Sequence, residues 1–173
     1  MPFRLEHTFD TSTYRHFING HNAVMHCHHY MSLTTALAVQ FAENGGTRVL
    51  IESAEDSMRP ILSEYFVKHS VSDPTERLNL GAELYSILGL GKISVQGSFG
   101  GGEAILHRSH VDEGWVKKFG PADAPLNFFT RGFVRAIFSA AFDRPARGYA
   151  VEENESIAMG AETGRMTVRQ AAP

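Results

Sequence analysis

The chain has 173 residues, 43% of them apolar and 20% charged, which suits one globular domain and excludes general disorder and fibrous repeats. A formal charge of −3 offers no attraction for phosphate backbones, so nucleic acid is not an expected partner. Cys27 is the only cysteine, so no internal disulfide can form and no CxxC metal framework is present.

Residues 1–13 mix Arg4, Glu6, His7 and Asp10 with apolar residues and lack the apolar core of a secretory leader. No later stretch reaches the ~20 apolar residues of a membrane span, and a cytoplasmic protein is the expectation. Tyr14–Ile18 and Ala23–Met25 flank Asn19-Gly20, residues that tolerate positive φ, so a hairpin is expected there. Leu33, Ala36, Leu37, Gln40 and Phe41 fall at helical spacing over Ser32–Glu43, and Asn44-Gly45-Gly46 stops that helix. A second helix, capped by Thr47 and kinked at Pro60, carries Ile51, Ala54, Met58, Ile61, Leu62, Tyr65 and Phe66 on one face.

Asp73-Pro74-Thr75-Glu76 combines an N-cap, a first-turn proline and a capping-box glutamate, and the helix it opens turns Leu80, Leu84, Ile87 and Leu88 inward. Ile93 and Val95 alternate with polar residues before the Gly100–Gly102 turn, and Ala104 and Leu106 return as a second strand. Ser109 to Asp112 caps a short helix that holds Trp115, Val116 and Phe119. Pro125 opens the most apolar helix, with Phe128, Phe129, Phe133 and Ile137 on one wall and Gly132, Ala136 and Ala140 spaced for close packing. Tyr149–Ile157 and Met166–Val168 form a last strand pair, and Gln170–Pro173 is an expected frayed tail. The order predicts one α+β domain over residues 1–173, a twisted antiparallel sheet built from hairpins with helices packed on it.

Chemistry-bearing residues concentrate in His26-Cys27-His28-His29. Imidazole and thiolate suit zinc or iron, so two readings stand: a metal-dependent sensor or enzyme centred on these four, or histidines that end a strand and cap a helix. A strand running to His28 would put His26 and His28 on one face and Cys27 on the other. Packing competes with reactivity for Cys27. Gly97 and Gly100–Gly102 lie between two strands, not before a helix, which fits a turn and not a phosphate cradle. Neither a P-loop nor a G-x-S-x-G elbow occurs. Glu152, Glu153 and Glu155 read as a solvated strand edge.

The segment from Pro125-Leu-Asn-Phe-Phe-Thr-Arg-Gly-Phe-Val to Phe142, then Arg144-Pro145 and Glu155-Ser-Ile-Ala-Met-Gly160, resembles the 4-vinyl reductase domain family. The resemblance spans residues 94–168 best and reaches upstream to the Asn19-Gly20 hairpin and His26–Tyr30. It implies a fold related to haem nitric-oxide sensors and vesicle-tethering subunits, with helices enclosing an apolar pocket that takes a small hydrophobic, hydrocarbon-like molecule. Many members carry two cysteines where this chain has Ser156 and Gly164, so any metal or redox role of that pair is lost. The expected ligand pocket is lined by Leu33, Leu37, Phe128, Phe129, Phe133 and Ile137, and a binding protein is expected over a catalyst. A third reading makes the aromatic helix the interface of a ligand-free homodimer.

Overall fold

The structure is a computed structural model that describes residues 2–171. Asn19 and Gly20 both adopt positive φ, 49° and 85°, the mirror-image turn whose twist matches paired strands. Across it β2 (Arg15–Ile18) pairs with β3 (His21–Ala23), Ile18 opposite His21. A strand not expected from the sequence, β1 (His7–Asp10), lies antiparallel on the far side of β2.

Helix α1 (His28–Gln40) starts at His28, not Ser32, and its inward face differs from the expected one. Met31, Ser32, Thr35 and Ala38 are buried, while Leu33 and Leu37 face out, 48% and 45% exposed. The helix is apolar on two opposite sides, so spacing alone could not choose between them. The smaller side won because it admits close approach: a Cβ on Gly114 would sit 2.8 Å from the His28 Cβ and 3.1 Å from the Ser32 Oγ.

Helix α2 (Gly46–Lys68) buries Ile51, Ala54, Leu62, Tyr65 and Phe66 much as expected, with Gly45 at φ 82°, not Thr47, as its cap. In α3 (Pro74–Ile87) the Asp73 carboxylate accepts from the Glu76 N–H at 2.9 Å, and Leu78, Leu80 and Leu84 point inward while Ile87 stays 41% exposed. The hairpin β4 (Gly91–Ser98) and β5 (Gly101–Ser109) turns between Ser98 and Gly101. Helix α4 (His110–Phe119) is capped by Ser109 as expected, but it buries Val111, Asp112 and Gly114 and leaves Val116 and Phe119 exposed.

Helix α5 (Phe128–Ala141) is buried on nearly all sides. Its small residues bring it against α2, where a Cβ on Gly132 would lie 2.1 Å from the Ile51 carbonyl oxygen. Strands β6 (Tyr149–Glu155) and β7 (Gly164–Gln170) complete an antiparallel sheet of order β4-β5-β7-β6. The expected tail starts later, since Gln170 pairs with Tyr149; Ala172 and Pro173 lie outside the described residues. Ile93, Val95, Ala104, Leu106, Val151 and Met166 share the face that meets α3 and α5 in the main core. The other face is polar, with Arg165 paired to Glu103 at 3.0 Å and to Glu155 at 3.6 Å. The α+β architecture and the order of hairpins and helices are as the sequence predicts.

Candidate functional site

The six residues expected to line one pocket divide among three environments. Phe133 and Ile137 are wholly buried in the main core, Phe133 edge-on to Tyr85 with centroids 5.2 Å apart and Ile137 against Gly81. Phe128 belongs to a second small cluster with Ala38, Ile51 and Leu126, and Phe129 is half-buried at the rim of the main core. Leu33 and Leu37 face solvent on α1. The α5 face that was the alternative dimer surface is covered by the chain's own α2, α3 and β6.

A broad groove opens elsewhere, between α3 and edge strand β4, with a volume of about 1450 Å³. Leu78, Ala82, Ile93 and Val95 form its floor, and Pro2 and Phe3 close one end. That end is well anchored. Phe3 stacks on Tyr65 with centroids 4.1 Å apart, its N–H donates to Glu83 Oε2 at 2.6 Å, and the Arg4 N–H donates to the Tyr65 hydroxyl at 2.8 Å. Asp73, Glu76, Glu83 and Glu103 stand at the rim with Lys92 as the basic member. An apolar floor under an acidic rim favours neutral or cationic molecules that can donate a hydrogen bond, and it disfavours anions. The groove escaped sequence reasoning because its floor residues look like ordinary core positions of a helix and a strand.

The histidine run does not continue a strand. The chain leaves β3 at Ala23, and α1 starts at His28 with Cys27 as N-cap. His26, Cys27 and His29 are exposed and His28 is half-buried. The Cys27 Sγ lies 4.0 Å from His29 Nδ1, and the rings of His26 and His28 lie 5.9 and 6.2 Å from that of His110 at the start of α4. Among the described residues, no group of three or more His, Cys, Asp or Glu has metal-holding geometry. The backbone N–H groups of Tyr30 and His29 hold the Cys27 thiol below its usual pKa. Burial, and then the charge of His29, keep His28 below the ordinary imidazole value; burial and His26 do the same for His110.

A buried polar cluster joins α4, α5 and β6. Asp112 Oδ2 accepts from the Asn127 side-chain amide, which also donates to Ser109 Oγ at 2.8 Å. Asp112 Oδ1 accepts from Ser156 Oγ and from the Ala158 N–H, each at 3.2 Å. Glu153 Oε2 accepts from the Asn127 N–H at 3.0 Å, and the Thr130 hydroxyl meets the Tyr85 hydroxyl at 2.9 Å. Glu153 corrects the expected solvated edge: it shares the inward parity of Tyr149 and Val151, whereas a register shift between Glu153 and Glu155 returns Glu155 to solvent. Burial first, and then the charge of Asp112, push the Glu153 carboxyl up to about 7. Two clues to the cluster lay in the sequence, the Ser109 and Asn127 caps and the parity of Glu153 with Tyr149. Ser156 sits in this cluster, and Gly164 opens β7 against Leu106.

Neither a family model nor a curated protein matches this chain. Solved structures do. The phenol-responsive sensory domain of the transcription activator PoxR, crystallised with phenol, superposes with a TM-score of 0.78 at 16% identity, over 95% of this chain and 84% of that one. A trafficking protein particle complex subunit 3 from Naegleria fowleri, covalently bound to palmitic acid, superposes at 0.55 and 11% identity, over 84% of this chain and 95% of that one. At these identities the likeness is one of fold, and the chain has the α+β fold of this sensory domain and, more distantly, of this trafficking subunit.

Proposed function

We propose that the chain is a sensory domain that binds a small, neutral molecule with an aromatic or otherwise apolar body and a hydrogen-bond donor. The observation that carries this is the superposition of nearly the whole chain on a phenol-responsive sensory domain. The groove between α3 and β4 supports it: its floor suits an apolar body, and carboxylates at its rim can accept a hydrogen bond from a hydroxyl. Membership of the 4-vinyl reductase domain family, suggested by the motifs of α5 and β6, points to the same ligand chemistry. The reading treats residues 1–173 as one ligand-binding domain of a cytoplasmic protein, with recognition and not turnover as its task.

Calorimetric titration with phenol, p-cresol and catechol, alongside palmitate for the aliphatic alternative, tests the reading. Saturable binding of a phenol, with a rise in melting temperature that grows with ligand concentration, is expected. The substitution Ala82→Phe fills the groove floor and should abolish the response while unfolding stays cooperative. Failure of every phenol to bind would sink the reading, and binding unchanged by Ala82→Phe would move the site elsewhere. A second reading, zinc or iron at His26, Cys27, His28 and His29, draws on the buried and unpartnered Nε2 atoms of His28 and His110. Stoichiometric metal lost in His26→Ala/His28→Ala would establish it.

A further inference from the structure

Residues 16–42 contain no Asp, Glu, Lys or Arg, in a chain where every fifth residue is charged. This neutral stretch forms surface. Tyr30, Leu33, Leu37 and Phe41 recur on one side of α1, opposite its buried side, and are 57%, 48%, 45% and 51% exposed. Val24 and Met25, just before the helix, are 81% and 91% exposed. A surface helix ordinarily carries its charges on the solvent side, and here that side is apolar.

We infer that this face of α1, with Val24 and Met25, is the interface between two copies of the chain. Neutrality selects the partner. Close to a two-fold axis a residue meets its own counterpart, so a charge there meets its like, whereas an uncharged apolar face complements itself. A different protein partner is commonly steered by opposite charge and an anionic membrane by Lys and Arg, and the face has neither. The area also fits. At roughly 150–250 Å² for a whole large side chain, these six offer about 600 Å², most of the ~800 Å² per partner in a standard interface. The flanking Thr34 and Gln40 supply an uncharged polar rim. The inference is independent of the groove, which lies on α3 and β4.

Sedimentation velocity on the full chain tests it. The expected species has twice the chain mass of 19.1 kDa. Leu33→Glu/Leu37→Glu should weaken association roughly a hundredfold or more, with the far-UV circular dichroism and cooperative melting of the parent. Met25→Arg, at a site too exposed to disturb folding, should weaken it roughly tenfold. Val67→Glu, at an 80% exposed position on α2, should leave the dimer intact. A parent chain that stays monomeric at roughly 100 μM, or a dimer that survives both Leu33→Glu/Leu37→Glu and Met25→Arg, overturns the inference. A monomer that co-sediments with neutral phosphatidylcholine vesicles also overturns it and gives the face to lipid.

Discussion

Replacing Glu153 by glutamine isolates the electrostatic part of the cluster that joins α4, α5 and β6. Glu153 is 7% exposed, and burial followed by the charge of Asp112 pushes its carboxyl from 4.5 to about 7, against the stabilising Asn127 N–H. In the unfolded chain this carboxyl ionises near its ordinary value, while in the folded chain it keeps its proton until about pH 7. Between those limits the folded state holds more protons, so the contribution of Glu153 to stability is full at acidic pH, falls as pH rises, and levels off above pH 7. The displacement corresponds to about 3 kcal/mol. Glutamine keeps the shape and an oxygen for the Asn127 N–H but cannot ionise. Urea unfolding of Glu153→Gln and the parent between pH 4 and 8.5 should therefore give similar stabilities at the acid end and a variant advantage that grows to about 3 kcal/mol at the alkaline end. Taking the difference between the two proteins removes the titration of every other group. A difference that stays constant across the range would refute the argument that the fold holds Glu153 protonated.

Three further outcomes follow from close contacts. Gly132→Ala should cost about 3 kcal/mol or more by chemical denaturation, because the new methyl would fall within 2.1 Å of a carbonyl oxygen on rigid α2; a loss below 1 kcal/mol would mean that the helices separate easily. Asp112→Ala removes the acceptor for Asn127, Ser156 and the Ala158 N–H, and should destabilise by about 2–4 kcal/mol. If that variant unfolds like the parent, the cluster is not a fastener. Cys27, exposed at the start of α1, should react with iodoacetamide at pH 7 faster than an unstructured thiol, and a midpoint in its rate–pH profile at the ordinary thiol value would refute the role of the helix start.

Much of this fold is written in local signals. Asp73-Pro74 at the start of α3, the Asn19-Gly20 turn and the alternation of Ile93 and Val95 each act within a few residues, and each is found in place. The amphipathic stripe of α2 is nearly as plain, since its outward side is polar. Helix α1 carried no such contrast. Its helical spacing points Leu33 and Leu37 inward, and the structure buries Met31, Ser32, Thr35 and Ala38 instead. The strand β1 was hidden because its four residues, His7–Asp10, alternate too briefly to register.

The candidate site was less legible, for a related reason. Leu78 and Ala82 on α3 meet Ile93 and Val95 only because β4 lies at the edge of the sheet with Phe3 folded back over one end. That meeting depends on order within the sheet, which no single segment encodes. The sequence by itself determined the order of helices α1 to α5 and of the hairpins at Asn19-Gly20, Gly100–Gly102 and Gly160–Gly164, the antiparallel class of pairing, and the absence of Asp, Glu, Lys and Arg from residues 16–42. Tertiary structure alone decided which side of α1 is covered, that Asn127 links Glu153 and Asp112 in the interior, and that the open groove lies beside α3 and not along α5. Capping, turn geometry and periodicity act over a few residues and survive in any context, whereas burial and long-range hydrogen bonds depend on which distant segment arrives to cover a surface.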